Sequence, residues 1–192
     1  TEESVLNANM NCTVRKKKMK LSLNVKGEGY AVHSKLLLLE GTAAARAREE
    51  QEGTDGAVLD SGAGIPLGGE GITDLKPAPH VNVVDFGLVH LNQSSSKILA
   101  IANTGKFNFD YVLDRGDSPN PMLVMTGARQ AGAVRKNGRV QASLTFHPVT
   151  PCQLDGGIYT VSIAGKYEYI LKLAGTGAAP NLRFSFLEHD FA

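Results

Sequence analysis

The sequence has no tryptophan, only two cysteines among 192 residues, and no surplus of either charge: 20 Lys plus Arg face 19 Asp plus Glu, a formal net charge of +1. That balance argues against a nucleic-acid binder working through bulk charge. Cys12 and Cys152 form no CxxC pair and have no neighbouring His, so free thiols in a reducing compartment are expected rather than a zinc site. No run of about 18 apolar residues occurs, so no helical membrane span is expected. No signal-peptide pattern is visible at Thr1, and without an initiator Met the chain reads as a piece of something longer. Asn11-Cys-Thr13 and Asn92-Gln-Ser94 match the glycosylation triplet, but nothing else points to secretion.

Catalytic patterns are missing as well. The five histidines (His33, His80, His90, His147, His189) include no pair at i, i+2 or i+4 that would offer two ligands from one face. Gly62-Ala-Gly64-Ile-Pro-Leu-Gly68 has the wrong spacing for a dinucleotide loop and holds a proline. Ser94-Ser-Ser96 lacks the glycines of a nucleophile elbow, and Asp114 and Asp117 sit in a turn around Gly116. No catalytic, cofactor-binding or metal-binding residue is therefore expected, and no cofactor.

What the sequence does carry is alternation. Met19, Leu21, Leu23 and Val25 alternate with polar residues, which predicts a half-buried strand with one wet face. Phe107, Phe109, Tyr111 and Leu113 do the same. Val140, Ala142, Leu144 and Phe146 follow the turn dipeptide Asn137-Gly138, a hairpin signal. Residues 158–164 and 167–174 flank Gly165-Lys166 as another antiparallel pair, and 98–102 is apolar throughout, as in a central strand. The fold class expected is all-β, a sandwich. Its core should include Phe86, Ile98, Ile101, Phe109, Leu144, Phe146, Val161, Tyr169 and Leu171.

One region breaks the pattern. Residues 41–76 hold eight of the 21 glycines, three basic and seven acidic residues, and few large apolar ones. Within it Thr42 to Glu52 (TAAARAREEQE) is rich in helix formers, with Arg46 and Glu50 four apart, but has no apolar face to bury. A loosely attached insertion is expected. The ends of the chain echo its middle. Leu21-Ser-Leu-Asn-Val-Lys-Gly27-Glu-Gly29 matches Leu171-Lys-Leu-Ala-Gly175-Thr-Gly177, and Asp85-Phe86-Gly87 is echoed by Asp190-Phe191. Discounting the insertion, both echoes imply tandem units of roughly 100 residues, the size of an immunoglobulin-type sandwich. The expected division is 1–30 as the terminal strands of one unit, 31–178 as a complete unit with the insertion, and 180–192 as the first strand of the next.

Val81-Asn-Val-Val-Asp-Phe86-Gly87-Leu-Val89, followed by Lys97-Ile-Leu-Ala-Ile-Ala-Asn103-Thr-Gly105, resembles the opening of the ASH domain. Leu144-Thr-Phe146-His-Pro148 and Leu171-Lys-Leu-Ala-Gly175-Thr-Gly177 resemble its closing strands. That family is related to the major sperm protein and has an immunoglobulin-like sandwich. Without the family, Phe before Gly at a strand end reads as a core ring beside a bend, and Asn103-Thr-Gly105 as a positive-φ link between strands. The resemblance implies a non-catalytic tandem array in the central apparatus of the motile-cilium axoneme. Its implied partners are microtubules, tubulin and neighbouring central-apparatus proteins, with no nucleic acid, membrane or small-molecule substrate.

Arg15, Lys16, Lys17, Lys18 and Lys20 form the one sharp charge feature. A lysine-guarded strand edge explains them without function; contact with an acidic partner surface is the functional reading. The alternative for the whole chain is a module that binds short acidic peptides, as vesicle-associated relatives of major sperm protein do. It would want a basic groove, whereas Arg115, Arg129, Arg135, Lys136 and Arg139 are spread along the sequence.

Overall fold

A computed structural model of the chain describes residues 4–13, 20–41, 44–45, 70–116, 120–155 and 157–180. Two apolar-alternating runs at the start, β1 (Ser4–Thr13) and β2 (Lys20–Gly29), pair antiparallel as a sheet of their own. The remaining strands form two sheets. In the first, β3 (Ser34–Leu39), β4 (Ile72–Asp74), β6 (Ser95–Asn103), β8 (Leu123–Thr126) and β10 (Arg139–Phe146) run in the order β4-β3-β6-β10-β8, all antiparallel.

The second sheet contains β5 (Val81–His90), β7 (Phe109–Asp114), β9 (Ala131–Val134), β11 (Cys152–Leu154), β12 (Ile158–Ile163) and β13 (Tyr167–Ala178). β5 runs parallel to β13 along one edge, and β11 and β12 pair antiparallel with it as two halves of an interrupted strand. Beyond them lie β7 and β9.

The core lies between these two sheets. Leu36, Leu38, Leu99, Ile101, Val140, Leu144 and Phe146 of the first meet Val84, Phe86, Phe109, Tyr111, Val161, Tyr169, Leu171 and Leu173 of the second. The architecture is the expected all-β, immunoglobulin-like sandwich. Its apolar residues alternate because each sheet turns one face to the other and one outward. Phe146 is fully buried, with its ring 5.8 Å from that of Phe86. Ile98 is buried too, but on the outer face of the first sheet, with Leu37, Leu39, Ala44 and Ala100. Ile98 and Ile101 are three residues apart, so a period of two sends them to opposite faces.

The second echo motif shows why its residues are needed. The pairing passes from Ala174↔Asp85 to Thr176↔Leu88, so Phe86 and Gly87 together oppose Gly175 in a bulge. Gly87 sits at φ 69°, and its N–H donates to Asp85 Oδ1 at 2.8 Å. Asp, Phe and Gly thus set the bend and send the ring inward, in mid-strand rather than at a strand end.

Other details depart from expectation. Asn137 takes φ 56° and the Gly138 N–H donates to Arg135 O at 2.9 Å, so the turn forms. It links β9 to β10, which belong to different sheets, so it is a crossover and not a hairpin. The hairpin signal reports only the local bend; the strands take partners elsewhere. Asn103 and Gly105 are not at positive φ. Instead the buried Asn103 amide donates to Phe107 O and Val134 O, and its Oδ1 accepts from Gly105 N, a brace for the loop. Phe107 precedes β7, stands 57% exposed and packs on Tyr30.

The expected insertion is narrower than 41–76. Ile72–Asp74 is strand β4 against β3, and Leu75 is buried in the core. Glu40 N–H donates to Gly71 O at 2.8 Å, and Leu75 N–H to Leu36 O at 2.8 Å, closing the base of a β3–β4 loop. Ala44 is buried against Leu37 and Leu39, so the start of the helix-former segment does find an apolar contact. Most of that segment, and of 180–192, lies outside the described residues.

Candidate interaction surfaces

Of the basic run, Arg15, Lys16, Lys17 and Lys18 lie outside the described residues. Lys20 is exposed at the start of β2, paired with Thr13. It shares the polar face of the hairpin with Lys26, Asn24, Asn7 and Asn9, since alternate residues point the same way. Asn24 Nδ2 donates to Asn7 Oδ1 at 2.9 Å and Asn9 Oδ1 at 2.6 Å, tying the two strands across that face.

The opposite face of the hairpin is apolar: Leu6, Ala8, Met10 and Cys12 from β1 with Leu21, Leu23 and Val25 from β2. Leu6, Met10, Leu21 and Leu23 are 57–63% exposed. The expected half-buried strand therefore has an apolar face that stands exposed, with no described element upon it. Contiguous exposed apolar surface of this kind marks a contact region. The sequence signal was its alternation; what it lacked was a partner.

Elsewhere the basic residues do not converge. Arg135 and Lys136 follow β9, whose Val134 pairs with Phe109 at one end of β7, while Arg115 follows Asp114 at the other end. Six strand residues separate those ends by roughly 20 Å. The outer face of the first sheet carries Leu37, Leu39, Ile98 and Ala100, closed by Ala44. In the same row as Ala100 lies Gln141, 3% exposed, whose amide has no hydrogen-bond partner among the described residues.

A groove of about 530 Å³ opens where the chain enters the sandwich, lined by His33, Lys35, Asp74, Lys76, Tyr167 and Tyr169 among others. Lys35 and Asp74 approach to 3.8 Å at its rim. Behind it, the buried Asn82 accepts from Lys76 N–H and donates to Lys76 O and Ile170 O, fixing the start of β5. Burial pushes the phenols of Tyr111, Tyr159 and Tyr169 above their ordinary value of 10.0, so they stay neutral near neutrality. Among the described residues no group of His, Cys, Asp or Glu could hold a metal ion. Cys12 is exposed and Cys152 half-buried, and both are free thiols. His147 stands exposed beyond β10, its Nδ1 3.1 Å from Gln93 O.

No family model matches the chain. Over 190 residues, 99% of its length, it is 25% identical to hydrocephalus-inducing protein of Mus musculus. It is 24% identical to the Homo sapiens homolog over the same length. The chain spans only 3% of the length of each. Among solved structures, an ASH/PapD-like domain of human CEP192 matches 54% of this chain and 84% of that one, at 14% identity and a TM-score of 0.40. A Caenorhabditis elegans MSP family member matches 53% of this chain and 96% of that one, at 12% identity and a TM-score of 0.35. The sandwich assignment stands on the strand pairing above, not on these slight likenesses. The chain is thus a relative, along nearly its whole length, of a short part of hydrocephalus-inducing protein.

Proposed function

We propose that the chain is a non-catalytic scaffold segment of the motile-cilium axoneme, placed in the central apparatus, where it docks on microtubules and neighbouring projection proteins. The observation that carries this reading is its end-to-end similarity to hydrocephalus-inducing protein. The surfaces support it: a sandwich offers open sheet faces and edges, and here the exposed features include an apolar hairpin face and a lysine-bearing polar face. The role proposed for Arg15, Lys16, Lys17, Lys18 and Lys20 is contact with an acidic protein surface such as that of tubulin. Weak contacts repeated along a long polypeptide reinforce one another by raising effective concentration.

The test has two parts. A fluorescently tagged copy expressed in ciliated cells should sit along the central pair of the axoneme; a diffuse cytoplasmic signal would reject the reading. In sedimentation with microtubules, the 192-residue chain should bind in a salt-dependent way, and Lys16→Gln, Lys17→Gln and Lys18→Gln together should weaken it several-fold. Equal binding of native and neutralised chains would remove the basic run from the interface.

A further inference from the structure

The outer face of the first sheet is dry over one strip and wet on both sides of it. Leu39 and Ile98 lie in one row across β3 and β6; Leu37, Ala100 and Gln141 lie in the next row across β3, β6 and β10. All five are at most 3% exposed. On β8, the next strand of the same face, Val124 is 50% exposed. At the opposite border the side chains of Lys35 and Asp74 stand in solvent as well. Three strands spaced about 4.8 Å apart make a strip about 10 Å across, the width of a single helix. Among the described residues of this apolar cluster, Ala44 alone comes from outside the sheet.

Gln141 says what kind of group covers the rest. Its Nε2 and Oε1 are both buried without a hydrogen-bond partner among the described residues. Burying an amide in that way is costly unless a donor and an acceptor meet it. The covering surface therefore brings small or aliphatic side chains over β3 and β6, and polar groups over β10.

The chain carries such a segment at this place. Residues 41–70 leave β3 and return to β4 at the corner of the strip, where Glu40 N–H donates to Gly71 O at 2.8 Å. Ala44 is already seated on the strip, and its N–H donates to Glu40 O at 3.5 Å, the first bond of a helical turn. Continued through Glu52, a helix places Ala47 and Gln51 on the same face as Ala44, at i+3 and i+7. It turns Arg46, Glu49 and Glu50 to water, with the Arg46–Glu50 pair one turn apart. The two alanines allow close approach to the sheet, and Gln51 carries both the donor and the acceptor that an amide needs.

We propose that the outer face of β3, β6 and β10 is the docking site of residues 46–69 of the same chain. The scarcity of large apolar residues in that segment fits the size of the strip: five buried side chains ask for little more than Ala44, Ala47 and a few of Val58, Leu59, Ile65 and Leu67. A second copy of the chain, or a partner sheet, does not fit the outline, because it would cover β8 and Val124 too. The inference stands apart from the axonemal reading. Its consequence is that this sheet face is closed to outside partners, which must use other surfaces.

The experiment treats the intact 192-residue chain with trypsin. Cleavage after Arg46 and Arg48 should be at least about 10-fold slower than in a free peptide of residues 41–56. Ile98→Asp should bring it to within about two-fold of the peptide rate, whereas Val124→Asp, on the wet part of the same face, should leave it slow. Cutting of the native chain at the peptide rate would overturn the proposal. So would slow cutting that Ile98→Asp leaves unchanged, since the segment would then be held elsewhere. Ile98→Asp also loads a charge onto a central strand, so a second variant replaces residues 46–69 with a short Gly-Ser linker. Shortening a merely tethered loop leaves the melting temperature unchanged or raises it. Removing a docked segment should lower it by at least about 5 °C and let the sandwich bind an apolar dye. An unchanged melting temperature without dye binding would reject the docking, and so would a native dimer that Ile98→Asp returns to monomer.

Discussion

The β1–β2 hairpin and the hairpin that ends in β13 are close to the same object in two settings. Both alternate apolar and polar residues, both end in Gly-x-Gly, and their paired ends superpose in register. Yet Leu171 is fully buried and Leu23 is 63% exposed. The difference teaches that alternation specifies which face should be dry, while burial depends on whether a second sheet is there to supply it. A two-stranded ribbon alone is marginal in water, so β1–β2 contributes little to the stability of the sandwich.

The largest effect that could break this comparison comes from truncating matched leucines. Leu171→Ala should cost about 2–5 kcal/mol in denaturant unfolding, and Leu23→Ala less than about 0.5 kcal/mol in the same chain. If both cost the same, the first hairpin's face is already covered within these 192 residues.

Matched glycines come next. Gly177→Ala forces a methyl into Pro148 and should cost about 1–3 kcal/mol, whereas Gly29→Ala meets the side-chain end of Ser4 at 3.1 Å and its backbone oxygen at an ordinary 3.7 Å, and should change stability by a few tenths. Alkaline pH separates the hairpins in a third way. The raised pKa values of Tyr111, Tyr159 and Tyr169 stabilise the fold below their ordinary value of 10.0, where folded and unfolded chains are both neutral. As pH rises past that value the unfolded chain ionises first, and the contribution is lost. The melting temperature of the sandwich should therefore fall above pH 10, followed by tyrosinate absorbance. The first hairpin holds no tyrosine, so its amide exchange should show no matching step. A flat profile would mean those phenols are wet.

The smallest effect sharpens the likeness instead of the contrast. Asn24 and Lys172 are counterparts on the two outward faces, one bonded to Asn7 and Asn9, the other 3.4 Å from Asp155. Asn24→Ala and Lys172→Ala should each cost under about 1 kcal/mol, because both contacts are solvent-exposed. A larger loss at either position would show that its outward face is not simply wet.

Strand existence was legible because alternation is a local consequence of having one dry face, and Leu144, Phe146, Tyr169 and Leu171 fell where period two put them. Partner choice was not. Asn137-Gly138 announces a turn, but whether the strands it joins pair with each other depends on residues far away in sequence. Asn103 likewise read as a turn residue, whereas its job is to bridge Phe107 and Val134, a contact that exists only after β9 packs beside β7. The candidate surface was half legible: the basic run and the Gly-x-Gly echo were visible, but the bare apolar face was not.

By itself the sequence determined the alternation, the turn positions, the Asp-Phe-Gly bend and the repetition of one hairpin design, because each depends on neighbours along the chain. Only the tertiary structure decided that β5 joins β13 in parallel, that Ile98 faces outward against Ala44, and that one of two matching hairpins is covered while the other has no covering sheet among the described residues. Those outcomes depend on which distant strands meet, and the free energy of burying a face belongs to the pair of sheets, not to either sequence segment alone.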